Sequence, residues 1–290
     1  MANDPEWQRS HDALLAGVRP QDVPILYHYT SVASALAILG SGRIWLTSST
    51  GMNDHAEGGW VPAALIDGMT GRPDLPASEV FQALWQLAIA PYARAYLICF
   101  SEDGDLLSQW RGYAHDGKGI AIGFDVNGGR FPVVAGPPHT NAGPDLGLTI
   151  SKVRYLDDMS PITDALERAI TGGSNSAEFF QSQLFLAQER WRTKNPAFRE
   201  EREWRIINLP WEFDGDVGGG ITTISEVGER LFREAGDRIV SYYEVAFSEE
   251  AVAKIVLGPQ CRVDEDELDM LLRDRGLKPD VRRSAATYRS

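Results

Sequence analysis

The apolar residues of this chain come in short runs, rich in β-branched and aromatic side chains, with polar and glycine-containing segments between them. The longest strongly apolar stretches span about ten residues, half of what a helix needs to cross a bilayer. Runs of this kind build short strands with helices packed against them. The 290 residues are 43% hydrophobic and 24% charged, which is enough apolar surface for a full core and excludes intrinsic disorder. There is no internal repeat and no linker long enough to divide the sequence, so one domain over 1–290 is expected, with a helical insertion around 156–195.

Strands are read at Val23–Tyr29, Arg43–Thr47, Ala93–Phe100, Lys118–Phe124 and Leu148–Tyr155, at the end of 198–207, and at 238–247, 252–257 and 279–283. Helices are read at Pro5–Ala16 behind an Asp4 cap, after a Thr30 cap up to Gly40 and Gly42, and at 60–69 and 77–90. Others follow at LLSQWRGYA behind an Asp105 cap, at 160–171, 176–192 and 264–274. The Pro/Gly-rich stretch 135–147 reads as a mobile loop, and Gly218–Gly220 as a break. Strands and helices do not alternate regularly enough for a doubly wound sheet, so the expected fold class is α+β with a largely antiparallel core.

With 28 basic against 41 acidic residues, the net charge of −13 repels polyanions and disfavours a general nucleic-acid binder. Two cysteines, Cys99 and Cys261, exclude a disulfide scaffold and argue against a cysteine-based zinc site. The opening MANDPEWQRS lacks the basic-then-apolar order of a signal peptide, so a cytoplasmic protein is expected.

Four segments could carry chemistry. In Leu26–Thr30, alternation puts Tyr27 and Tyr29 on one strand face and His28 on the other. Asn53–Glu57 gathers His55 with Asp54 and Glu57, but at no defined ligand spacing, and turn formation explains much of it, so no metal is expected. Ser108–Tyr113 places Trp110 and Tyr113 three apart on a short helix, where they could pack in the core or cover a flat ligand ring. Ser101 and Ser108 lack the elbow of a serine nucleophile. In Arg199–Ile207, Glu201, Glu203 and Arg205 share one strand face opposite Trp204 and Ile206. A solvated edge strand laced with Arg–Glu pairs and a carboxylate set beside a developing positive charge both fit, and Glu203→Gln and Glu201→Gln are each expected to change stability little, since a strand face tolerates Gln.

In order, YHYTS, G-R-I-W-L-T, M-N-D-x-x-E, ICFSE, S-x-W-x-x-Y-A, G-x-x-I-x-F-D and E-x-E-W-R-I resemble one family, the bacterial domain of unknown function family 2971, grouped with ADP-ribosyltransferase-like folds. The resemblance runs from about Ile25 to Ile207. It implies a split, largely antiparallel β-sandwich with helical insertions and a cleft holding bent NAD. The implied activity is NAD-dependent mono-ADP-ribosyl transfer to an unidentified protein or small-molecule acceptor, with nucleic acid disfavoured by charge. Alternatives are NAD glycohydrolysis, RNA 2′-phosphotransfer, which −13 argues against, and a non-catalytic nucleotide- or partner-binding domain. Roles in toxicity, phage defence or regulation are consistent with the family, and no residue selects among them.

What the resemblance implies for single residues is as follows. His28 meets a ribose of NAD, and Tyr113, or else Tyr29, stacks on the nicotinamide. Glu203, or else Glu201, binds the ribose 2′-hydroxyl; if both act, Glu201 orients the acceptor. Thr30, Asn53, Ser101 and Trp110 complete the cofactor-binding set, and Arg111 or Arg43 meets the pyrophosphate. The acidic Glu102, Asp103 and Asp105 would be awkward neighbours for that pyrophosphate.

Overall fold

Leu26–Thr30 and Tyr96–Ser101 form strands that meet at one register pair, Tyr27 with Ser101, and the architecture is organised around that junction. In the computed structural model the described residues are 23–51, 61, 63, 94–127, 130–131, 133–135, 148–160, 162–164, 167, 189–214, 221–224 and 227–287. In chain order they form β1 (Leu26–Thr30), α1 (Val32–Ser41), β2 (Arg43–Ser48), β3 (Tyr96–Ser101), α2 (Leu107–Tyr113), β4 (Ile120–Phe124), β5 (Val133–Ala135), β6 (Leu148–Lys152) and β7 (Arg154–Tyr155). There follow β8 (Thr193–Lys194), β9 (Glu203–Asn208), β10 (Trp211–Asp214), β11 (Ile221–Ile224), β12 (Leu231–Ala235), β13 (Arg238–Ala246), β14 (Val252–Leu257), α3 (Glu265–Asp274) and β15 (Asp280–Arg283).

Eleven strands join in one mostly antiparallel sheet that forks at β3. One edge of β3 carries β9 along its whole length, from Tyr96 opposite Asn208 to Ser101 opposite Glu203. The other edge carries β2 at Tyr96 and Leu97 and β1 at Ser101. From the fork, one arm runs β2–β13–β12 and the other β1–β4–β14–β15, while β9 continues into β6 and β5. Parallel pairing occurs only for β5–β6, β14–β15 and the separate β7–β8 pair among the described strands. The α+β expectation, with its antiparallel core, holds at this level.

The alternation of strand side chains decides the packing. Tyr96, Ile98 and Phe100 of β3, Ile120, Ile122 and Phe124 of β4, and Trp204 and Ile206 of β9 enter one core, closed by Ala35, Ile38 and Leu39 of α1. A smaller cluster of Tyr27, Tyr29, Trp110, Ala114, Ala121 and Val256 seats α2. Capping differs from the reading in two places. Ser31, not Thr30, caps α1, its Oγ accepting from the Ser34 amide at 3.0 Å, while Thr30 ends β1 in a buried position. Asp105 does not cap α2, whose N-cap position is Leu106. Its carboxylate instead accepts from Trp110 Nε1 at 2.8 Å, from the Ala285 amide at 2.7 Å and from the Ser284 hydroxyl. The expected elements at 5–16 and 77–90, the loop at 53–57, most of 60–69 and of 135–147, and most of the 156–195 insertion lie outside the described residues.

Two glycines make opposite predictions. A Cβ on Gly119 would stand 2.1 Å from the Thr30 carbonyl oxygen, a backbone atom that cannot step aside, so Gly119→Ala should cost about 1–3 kcal/mol. Gly112 lies within α2 with open space around it, so Gly112→Ala should stabilise by about 0.5–1 kcal/mol. Urea midpoints of the two variants against wild type check both.

Candidate functional site

All six residues of β9 are buried, although two of them carry charge. Trp204 and Ile206 fill the main core, which sends Glu203 and Arg205 to the opposite face two residues apart. There the Arg205 guanidinium grips the Glu203 carboxylate at both oxygens, Nε to Oε1 at 2.7 Å and Nη2 to Oε2 at 3.0 Å. Its Nη1 donates to the Trp191 carbonyl at 2.8 Å. Lys194, on β8, donates from Nζ to Glu203 Oε2 at 3.1 Å and to Glu201 Oε2 at 2.6 Å. Cys99, opposite Arg205 in register, directs its thiol to Glu203.

Burial alone would raise the Glu203 carboxyl. The Arg205 and Lys194 charges, with hydrogen bonds from Arg205 and Cys99, overcome it and bring the pKa down to about 2. Two carboxylates therefore face two cations in a pocket nearly closed to water. The solvated-edge reading of E-x-E-W-R is overturned, because β9 is paired on both sides, by β3 and β6. Glu201 also leaves the strand. It ends a 3₁₀ turn over Pro196–Glu201, and Arg202 then reverses the chain at φ 44°.

Two phenols close on the cluster. Tyr113, 41% exposed, has its ionisation pushed up chiefly by burial, with Lys194 opposing and Glu201, Cys99 and Glu203 reinforcing. The Tyr155 hydroxyl accepts from the Glu203 amide at 3.0 Å, and burial above all raises its pKa to about 12.

His28 stands at the fork. Its Nδ1 lies 3.0 Å from the Cys99 carbonyl oxygen, so Nδ1 carries the proton and donates, leaving Nε2 as an acceptor in the neutral ring. Burial lowers its pKa, opposed by that hydrogen bond, and favours the neutral form. Alternation directs the side chain to the side of Ile122 and Phe100, which its ring meets edge-on at 5.9 Å. His28 and Glu203 thus touch the same residue, Cys99, from opposite sides of the pleat.

Of the other residues implied by the resemblance, several are occupied in building the fold. Tyr29 donates to the Asp103 carbonyl at 2.8 Å and accepts from the Leu106 amide at 2.9 Å. Trp110 is fully buried, so its ring offers no face to a ligand. Ser101 Oγ donates to the Glu201 carbonyl at 2.8 Å. Arg43 pairs with Glu244 at 3.7 Å, Arg111 is exposed on α2, and Asn53 lies outside the described residues. The acidic turn is compensated, with Glu102 bonded to Lys152 and Trp204 Nε1, and Asp103 to Arg202. Lys194 and Tyr155 escaped the reading of the sequence; a two-residue strand has no periodicity to reveal it. Among the described residues no group of three or more His, Cys, Asp or Glu side chains is arranged to hold a metal, and no helix is long and apolar enough to cross a membrane.

Residues 109–206 match the family described as protein of unknown function (DUF2971). The match covers 98 of the 290 residues. The DUF2971 match begins within α2 and takes in Tyr113, Lys194 and both carboxylates, while His28 and Cys99 fall before it. No curated protein and no solved structure matches the chain.

Breaking this buried network is expected to be expensive. Glu203→Gln should lower stability by about 3–5 kcal/mol, because Arg205 and Lys194 lose their shared anion. Native Glu203 titrates below its ordinary value of 4.5, so its contribution is full above that pH and is lost as pH falls toward 2. His28, lowered from 6.5, adds a loss that begins below 6.5. Urea unfolding at pH 7, 5 and 3 should show both losses in wild type and a smaller acid-side loss in Glu203→Gln, where Glu102 and Asp105, also held below their ordinary values, still contribute.

Proposed function

We propose that this protein cleaves the nicotinamide–ribose bond of NAD and transfers ADP-ribose to a protein or small-molecule acceptor. The observation that carries the reading is the fork at β3, where His28, donating from Nδ1 to the Cys99 carbonyl, and the anionic Glu203, bonded to the Cys99 thiol, meet one residue from the two faces of a mostly antiparallel sheet. In this reading Glu203 faces the ribose. As the C1′–N bond breaks, its electron pair stays with nicotinamide, which leaves neutral, and the oxocarbenium-like charge is stabilised by the fixed carboxylate in a water-poor site. The acceptor's lone pair then bonds C1′, and the acceptor loses its proton. Water in that place gives hydrolysis. Tyr113 supplies a partly open ring beside the carboxylates for the flat leaving base.

A non-catalytic nucleotide-binding domain is the second reading. It is favoured by the number of donors, two from Arg205 and one each from Lys194 and Cys99, already turned to Glu203. Nicotinamide release and label transfer from labelled NAD separate the two. On the transfer reading, Glu203→Gln, assayed where circular dichroism shows it folded, loses about two to three decades of rate while NAD binding weakens far less. Glu201→Gln impairs transfer and spares release. NAD bound without release by the wild type would favour the second reading, and full activity in both variants would remove the carboxylate mechanism.

A further inference from the structure

Lys194 occupies the place where the proposed chemistry needs positive charge to appear. Its ammonium bridges Glu201 and Glu203 and is 5% exposed. A cation already seated between the two carboxylates cancels the field that would stabilise an oxocarbenium-like ribose. Its mounting differs from that of its partners. Glu203 and Arg205 belong to the eleven-stranded sheet, whereas among the described strands β8 pairs with β7 alone, through Thr193 with Arg154 and Lys194 with Tyr155. The next residues form the 3₁₀ turn that carries Glu201, and Lys194 Nζ also lies 4.9 Å from the Phe198 ring of that turn. Lysine, turn and Glu201 thus form one short segment with no strand pairing to the large sheet among the described residues, tied to β3 by the Ser101 hydroxyl on the Glu201 carbonyl and the Glu102 amide on the Arg202 carbonyl, bonds that its withdrawal has to break.

We propose that Lys194 is an autoinhibitory plug: in the free protein its ammonium fills the carboxylate pair, and withdrawal of the β8–turn segment leaves Glu203 held by Arg205 alone, with one compensating cation fewer beside the reaction. This inference rests on the transfer reading and gives it a resting state. Lys194→Met keeps the length of the stem and removes the charge, so nicotinamide release should rise by about ten- to hundredfold. Lys194→Arg retains the cation and should stay near the wild-type rate.

The wild type provides a second measurement. Reductive methylation with formaldehyde and borohydride, mapped by mass spectrometry, should leave Lys194 protected in the free protein and label it when a nonhydrolysable NAD analogue is bound. Release by wild type at or above the Lys194→Met rate overturns the plug and leaves the transfer reading standing. If Lys194→Met does not fold, the labelling decides, and equal protection with and without the analogue overturns the plug. If calorimetry detects no NAD binding by wild type or Lys194→Met and neither releases nicotinamide, plug and transfer reading fall together.

Discussion

The structure depends on one strand serving two partners along one edge. Buried backbone groups have to be hydrogen-bonded, and a strand that passes from β2 to β1 leaves a gap in its ladder. On that edge of β3 the described strands pair at Tyr96, Leu97 and Ser101, and between them the His28 ring supplies a donor to the Cys99 carbonyl. The imidazole replaces a ladder bond. Its other nitrogen is then free of that task, and it becomes a polar group at a break in an otherwise apolar sheet. Fold and candidate chemistry share this cause.

The second constraint is electrostatic. Charged side chains in a strand paired on both edges lose hydration that mutual attraction only partly returns. Glu203 and Arg205 reduce that cost by pairing within one strand, where the two-residue repeat fixes both groups on one face before any tertiary contact forms. Lys194 and Glu201 arrive from a separate segment and complete a neutral set of four charges. An ion cluster of this kind is weak evidence of stability on its own, but it holds its carboxylates ionised and fixed in direction.

Much of the sheet was legible because its strands are apolar and β-rich. The runs at 43–47, 118–124, 238–247 and 252–257 predict strands where β2, β4, β13 and β14 form. The pleat of 203–206 was also legible, since alternation depends on spacing alone. Its burial was not. Three acids and three arginines within nine residues signal surface in any sequence scale, and only the neighbours on both edges, distant in sequence, reverse that reading. Trp110 and Tyr29 are taken up by the fold for the converse reason: an aromatic ring on a short helix or strand fits a core and a cleft equally, and the Asp105 and Asp103 bonds that hold the two rings span the turn between. The β12 strand was missed because LFREA is half exposed and patterned like a loop.

The pairing of β2 with β13 joins Arg43 to Ala246 and Thr47 to Tyr242. During synthesis, the second strand leaves the ribosome long after the first. At about 5–20 residues per second the delay is on the order of 10–40 s. Throughout that interval RIWLTS presents an unsatisfied edge ending in a tryptophan-bearing, strand-prone segment. The growing polypeptide therefore has a vulnerable window set by translation speed, during which a chaperone's grip on this stretch would matter more than any contact of the finished fold.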